Sequence, residues 1–192
     1  MERIWITPAS TPPHKEMQNV AGAQDRLEMI RLAVEGNSLF SVTDVELRRS
    51  GPSYTIDTLG YFESILPDDS RLYFIMGMDA FLDIETWKSF KELFRVAPFI
   101  VMSRPGSTDS KGDDEWKAAR DVLTSKVSSE YAYDSERNAF FHPEKKAVFL
   151  FQVTPVDVSS TMIRARIKQG LTINGLVPEK VKEYIKIKGL YL

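Results

Sequence analysis

The sequence predicts an α/β fold of the Rossmann type, a parallel sheet with helices on both faces. Three observations point there. Residues 71–76, 98–102 and 147–153 are short, nearly all-apolar runs, the pattern of strands buried on both faces. The segments between them carry apolar residues at helical spacing. Strand and helix also alternate along the chain, as crossover connections require. One domain spanning 1–192 is expected, with a helical C-terminal part from about residue 159.

In order, Glu2-Arg-Ile-Trp-Ile6 reads as a short opening strand. Pro8, Pro12 and Pro13 then forbid regular structure, so 7–20 is a loop containing His14 and Lys15. Leu27, Ile30 and Val34 share one face of a helix over 25–34 that Gly36 is placed to end. Phe40, Val42, Val45 and Leu47 suggest a strand, with a break near Asp44. Gly51-Pro52-Ser53 turns into a helix bearing Ile56, Leu59, Phe62 and Leu66. After the strand at 71–76 come Gly77-Met78-Asp79 and a short helix with Phe81 and Leu82. Thr86 is the expected cap of a helix that buries Phe90, Leu93 and Phe94. The strand at 98–102 closes on Ser103-Arg104-Pro105-Gly106. Trp116, Leu123 and Val127 hint at a helix, and 128–146 is polar without a clear period. His142, beside Pro143, reads as surface. After the last strand, Leu176 and Pro178 introduce a final helix with Val181 and Ile185 inside, stopped by Gly189.

Composition narrows the function. At 192 residues, with 43% hydrophobic and 27% charged residues, the chain has the make-up of a globular domain. A net charge of −2 argues against a duplex-DNA partner, which calls for a basic face. The absence of cysteine excludes disulfides, thiolate zinc and thiol nucleophiles. No run reaches the roughly 20 apolar residues that span a bilayer, and Met1 begins no signal-like segment, so a cytoplasmic protein is expected. The sequence leaves a homo-oligomer open.

In parallel sheets ligands bind beyond the carboxyl ends of the strands. Those positions here hold His14 and Lys15, Gly77 and Asp79, Arg104, and finally Val-Asp-Val-Ser-Ser-Thr-Met-Ile-Arg at 156–164. Ser159, Ser160 and Thr161 open a helix, and Arg164 stands one turn in. The first N–H groups of a helix lack internal partners and carry partial positive charge, so such a start suits an anion. It also suits a plain serine cap. Each remaining group also has two readings. Arg104 suits a phosphate or solvent, and Asp79 a ribose or a helix cap. Trp87 suits a planar ring or packing under a loop, Tyr54 and Thr55 a ligand or a cap, and Lys15 a ligand or solvent. Their gathering at one sheet edge fits a nucleotide.

Several runs resemble bacterial nicotinate mononucleotide adenylyltransferases. They are Pro8-Ala9…Pro12-Pro13-His14-Lys15, Glu46-Leu47-Arg48-Arg49…Gly51-Pro52-Ser53-Tyr54-Thr55-Ile56-Asp57-Thr58-Leu59, and Tyr73-Phe74-Ile75-Met76-Gly77-Met78-Asp79. Thr86-Trp87, Ser103-Arg104-Pro105-Gly106, Ser159-Ser160-Thr161-Met162-Ile163-Arg164 and the segment from Leu176-Val177-Pro178 to Gly189-Leu190-Tyr191 resemble them too. The order matches across nearly the whole chain, with 107–146 poorly covered. The resemblance implies adenylyl transfer from ATP to nicotinate mononucleotide with magnesium, a step in making NAD. It implies that Ser159, Ser160, Thr161 and Arg164 serve the ATP phosphates and that Asp79 serves a ribose or the polar network. It further implies that Tyr54, Thr55, Trp87 and Arg104 hold the nicotinate nucleotide, with His14 and Lys15 in a loop over the site.

One family feature has no counterpart. The family opens with a strand, a turn and a helix carrying Gly-x-Phe-x-Pro-x-His-x-Gly-His, and its two histidines grip the ATP phosphates. No such run occurs here, and neither His14 nor His142 has the context to substitute, so no catalytic side chain is assigned. The shortfall is on the order of 25 to 30 residues, one strand–helix unit. In the usual strand order that unit is central. The strands at 2–6 and 71–76 are therefore expected to lack a neighbour each, and turnover by this form is expected to be weak. Two other functions fit part of the pattern: a nucleotidyltransferase with another acceptor such as phosphopantetheine, and a non-catalytic nucleotide-binding protein.

Overall fold

The computed structural model describes residues 2–10, 20–103, 113–154 and 156–192. His14, Lys15 and Arg104 lie outside the described residues. Contacts divide the chain into two compact units, Met1–Ser53 with Asp157–Leu192, and Tyr54–Val156.

In the first unit, β1 (Ile4–Ile6) pairs in parallel with β2 (Phe40–Val42), Ile4 opposite Phe40. The helix α1 (Ala23–Val34) connects them. α6 (Ser160–Lys168) and α7 (Glu179–Lys188) return from the far end of the sequence. Ile173, Val181 and Ile185 form a small core, against which Met29, Leu32, Ile163, Ile167 and Tyr191 pack. The Tyr184 hydroxyl donates to Asp25 Oδ1 at 2.9 Å and ties α7 to α1. This bond also raises the Tyr184 pKa, because ionisation would set a phenolate against a carboxylate. Gly189 ends α7 as expected, at φ 61°, a left-handed conformation in which a side chain would be strained.

The second unit carries a five-stranded sheet in the order β3-β4-β7-β6-β5. β3 (Phe74–Gly77), β4 (Phe99–Ser103) and β7 (Val148–Gln152) are parallel. β6 (Ala139–Phe141) is antiparallel to β7, and β5 (Ala132–Asp134) to β6. Four helices accompany them: α2 (Thr55–Ile65), α3 (Met78–Leu82), α4 (Phe90–Val96) and α5 (Asp113–Val122). Phe81, Phe94 and Phe99 are fully buried. The Phe94 and Phe99 rings stack at 4.6 Å, and Phe81 meets Phe94 edge-on at 6.3 Å. The expected α/β architecture is present, with the antiparallel hairpin as an addition at the edge.

That hairpin is what the polar stretch 128–146 conceals. Asp134 Oδ1 accepts from the N–H groups of Glu136 and Arg137, and Asn138 adopts φ 48°, a conformation Asn tolerates. Three further expectations need correction. Thr86 does not cap α4: it ends a short 3-10 turn, Ile84–Thr86, and its hydroxyl donates to the Asp83 carbonyl. Ser89, at φ 52°, precedes α4 instead. The strand expected through Leu47 stops at Val42, and 45–48 turns, held by Arg48 on Asp44 at 2.9 Å. The side chain of His142 is fully buried. Its Nδ1 accepts from Glu144 and Lys145 N–H, and Nε2 reaches Ser128 Oγ at 2.9 Å. Among the described residues, no helix is long and apolar enough to cross a membrane.

Candidate nucleotide site

Ser159 has extended backbone, φ −132° and ψ 151°, and its Oγ accepts the Met162 N–H at 3.1 Å. This is an N-cap, so the bland reading of Ser159 is correct as far as its oxygen's acceptor role goes. The cap leaves the N–H groups of Ser160 and Thr161 outside the helical ladder. Ser159, Ser160 and Thr161 are all exposed. Arg164 is half-buried and donates through Nη2 to Thr161 Oγ1 at 3.2 Å. Among the described residues it has no carboxylate partner. A guanidinium held by a neutral hydroxyl keeps its charge available, beside a helix start that favours anions. One face of α6, Ile163 and Ile167, packs on the small core and orients the opening turn.

Tyr191, Arg26 and Ser53, also of the first unit, have no role assigned to them from the sequence. Burial raises the Tyr191 pKa, while a bond from the Ala21 backbone and the charges of Arg164 and Arg26 oppose that rise. Arg26 donates to the carbonyls of Ala21 at 3.1 Å and Ser10 at 3.0 Å. The Ser10 N–H in turn donates to Ser53 Oγ at 2.8 Å. Arg26 and Ser53 thus hold Ser10 in place. These contacts span 16 and 43 positions, so no local pattern reports them.

In the second unit, Tyr54 stands at the start of α2 with no side-chain capping bond, and Thr55 is the first helical residue. Both are half-buried. Lys88 Nζ donates to both oxygens of Asp57, at 3.2 and 3.1 Å, and lies 4.5 Å from the Tyr54 ring centre. The residue before it, Trp87, packs edge-on against Phe74 at 6.1 Å. Asp79 is exposed in the first turn of α3, just after β3, with its carboxylate folded back over Gly77. A Cβ at residue 77 would stand 2.5 Å from Asp79 Oδ1, so a side chain there would make the Asp79 carboxylate shift. A cleft of about 360 Å³ lies among Trp116, Lys117, Arg120, Tyr133 and Phe140 and is lined by none of the site residues expected from the sequence.

Residues 1–166 match the cytidylyltransferase-like family model. A probable nicotinate-nucleotide adenylyltransferase of Desulfatibacillum aliphaticivorans is 39% identical over 100% of this chain and 87% of its own. That of Geobacter sp. (strain M21) is 39% identical over 100% and 85%. The chain belongs to the nicotinate-nucleotide adenylyltransferases. The fold agrees. Plasmodium falciparum nicotinic acid mononucleotide adenylyltransferase, solved in complex with NaAD, superposes with a TM-score of 0.68 at 18% identity, covering 100% of this chain and 83% of that one. The same enzyme complexed with APC gives 0.66 at 17% identity. The resemblance read from the motifs is thus a family membership, and the mixed α/β sheet is the family's fold.

Proposed function

We propose that the chain transfers the adenylyl group of ATP to nicotinate mononucleotide, releasing pyrophosphate and forming nicotinate adenine dinucleotide, in the cytoplasm and as one nucleotidyltransferase domain. The observation that carries the phosphate part of the reading is the opening turn of α6, where a capped helix start stands beside an arginine with no carboxylate partner among the described residues. Family membership supplies the acceptor.

The nucleophile is an oxygen of the acceptor's phosphate monoester, already largely ionised near neutral pH, so the step needs no general base. Its oxygen bonds to the α-phosphorus of ATP as the bond to the bridging oxygen breaks, and the electron pair leaves with pyrophosphate. The protein's share is alignment and charge neutralisation. Ser160, Thr161 and Arg164 receive the triphosphate, with Ser159 holding the helix start in place. Asp79 serves a ribose or the polar network of the site, Tyr54, Thr55, Trp87 and Arg104 hold the pyridine nucleotide, and His14 and Lys15 belong to the same substrate-binding set. Magnesium would arrive on the triphosphate, since this small cation keeps most of its waters and binds phosphates readily. Among the described residues no three His, Asp or Glu gather to hold a metal.

Pyrophosphate release measured with ATP and a panel of acceptors tests the reading. Nicotinate mononucleotide should be the preferred acceptor, and Arg164→Ala should lower kcat/KM for ATP by about 100-fold, the scale of one lost transition-state contact. Preference for phosphopantetheine would move the chain to another acceptor class. Nucleotide binding without pyrophosphate release would make it a non-catalytic binder.

A further inference from the structure

Lys88 lies outside every motif above, yet it joins two of the residues assigned to the pyridine nucleotide. Its ammonium meets both oxygens of Asp57 and the ring of Tyr54. The Asp57 N–H donates to the Tyr54 carbonyl at 3.1 Å, so the carboxylate and the ring belong to one turn. On the other side, the Trp87 N–H donates to Ile84 and the Trp87 carbonyl accepts from Phe90, which pins the backbone next to Lys88. The contacts form a closed circuit across 31 positions of sequence: backbone from Tyr54 to Asp57, carboxylate to ammonium, ammonium back to ring.

We propose that Lys88 is a positioning residue, a clasp that holds Tyr54 at the start of α2 in fixed relation to Trp87 so that both rings meet the pyridine nucleotide. The proposal rests on the reading that Tyr54 and Trp87 hold that substrate. Global stability is a weak reason for this circuit. The side chains of Lys88 and Asp57 are 46% and 43% exposed, and exposed ion pairs contribute little to folding. Placing a cation over a ring restricts where that ring can go, and pre-set geometry is what a binding site gains from. Removing the clasp should therefore weaken substrate binding while the fold persists.

The test uses the full 192-residue chain and nicotinate mononucleotide as the probe. Lys88→Met should raise its Kd and KM about fivefold, with kcat, the KM for ATP and the melting temperature nearly unchanged. Asp57→Asn should match it, the double variant should be no worse than either single one, and Lys88→Arg should stay within about twofold of the parent. Tyr54→Leu serves as the control for the underlying reading. If it leaves Kd unchanged, Tyr54 does not hold the substrate. If it raises Kd while Lys88→Met does not, the clasp alone is refuted. A readout without ligand decides the clasp even in a chain that binds nothing. The Lys88 ε-methylene protons should resonate upfield in the parent, shielded by the Tyr54 ring, and return to the ordinary position in Tyr54→Leu. An ordinary position in the parent overturns the proposal.

Discussion

The double meaning of Ser159 can be separated by substitution. Its Oγ accepts one backbone N–H, that of Met162, at 3.1 Å, and its carbonyl accepts the Ile163 N–H at 3.0 Å. No residue of α6 is fully buried, so packing does little to make up for a lost cap. Ser159→Ala should cost about 1 kcal/mol of local stability, the usual value of such a cap. That corresponds to roughly fivefold faster hydrogen exchange at Met162 and Ile163, since tenfold is 1.4 kcal/mol. Ser159→Asp should restore protection, because a carboxylate caps as well and favours the positive helix end. The same carboxylate repels a triphosphate, so ATP should bind at least about tenfold more weakly to Ser159→Asp than to the parent. Exchange that is unchanged in Ser159→Ala would show that the cap does not hold α6. ATP binding that is unchanged in Ser159→Asp would remove the triphosphate from this turn.

Two further outcomes follow from the second unit. Phe94→Ala, which breaks the 4.6 Å stack on Phe99 in a fully buried position, should destabilise that unit by about 3–5 kcal/mol in urea unfolding; a loss under about 1.5 kcal/mol would mean the site collapses to fill the cavity. Tyr131 donates its hydroxyl to the Lys146 carbonyl at 2.9 Å, and burial pushes its phenol well above the ordinary 10.0. A raised folded pKa means full stability below the unfolded value and loss as pH rises beyond it. The urea midpoint should thus fall between pH 9 and 11, roughly the span of a free phenol's titration, and fall less steeply in Tyr131→Phe. Equal slopes would refute the assignment.

The sequence reported what local chemistry decides. Apolar residues at 98–102 and 147–153 can satisfy their backbone only inside a covered sheet, and there they form β4 and β7. Gly189 was legible because only one conformation ends a helix in that way. Failures came where a short turn or a distant partner decides. Ser89 rather than Thr86 opens α4 because the 3-10 turn consumes Thr86 first. His142 is buried because a turn's N–H groups at 144 and 145 need its Nδ1, a demand invisible in a polar run. For the site, residue types were legible and contacts were not. Arg164 could be named, whereas its hold by Thr161, the anchoring of Ser10 by Ser53 and the bridge from Lys88 to Asp57 exist only after folding.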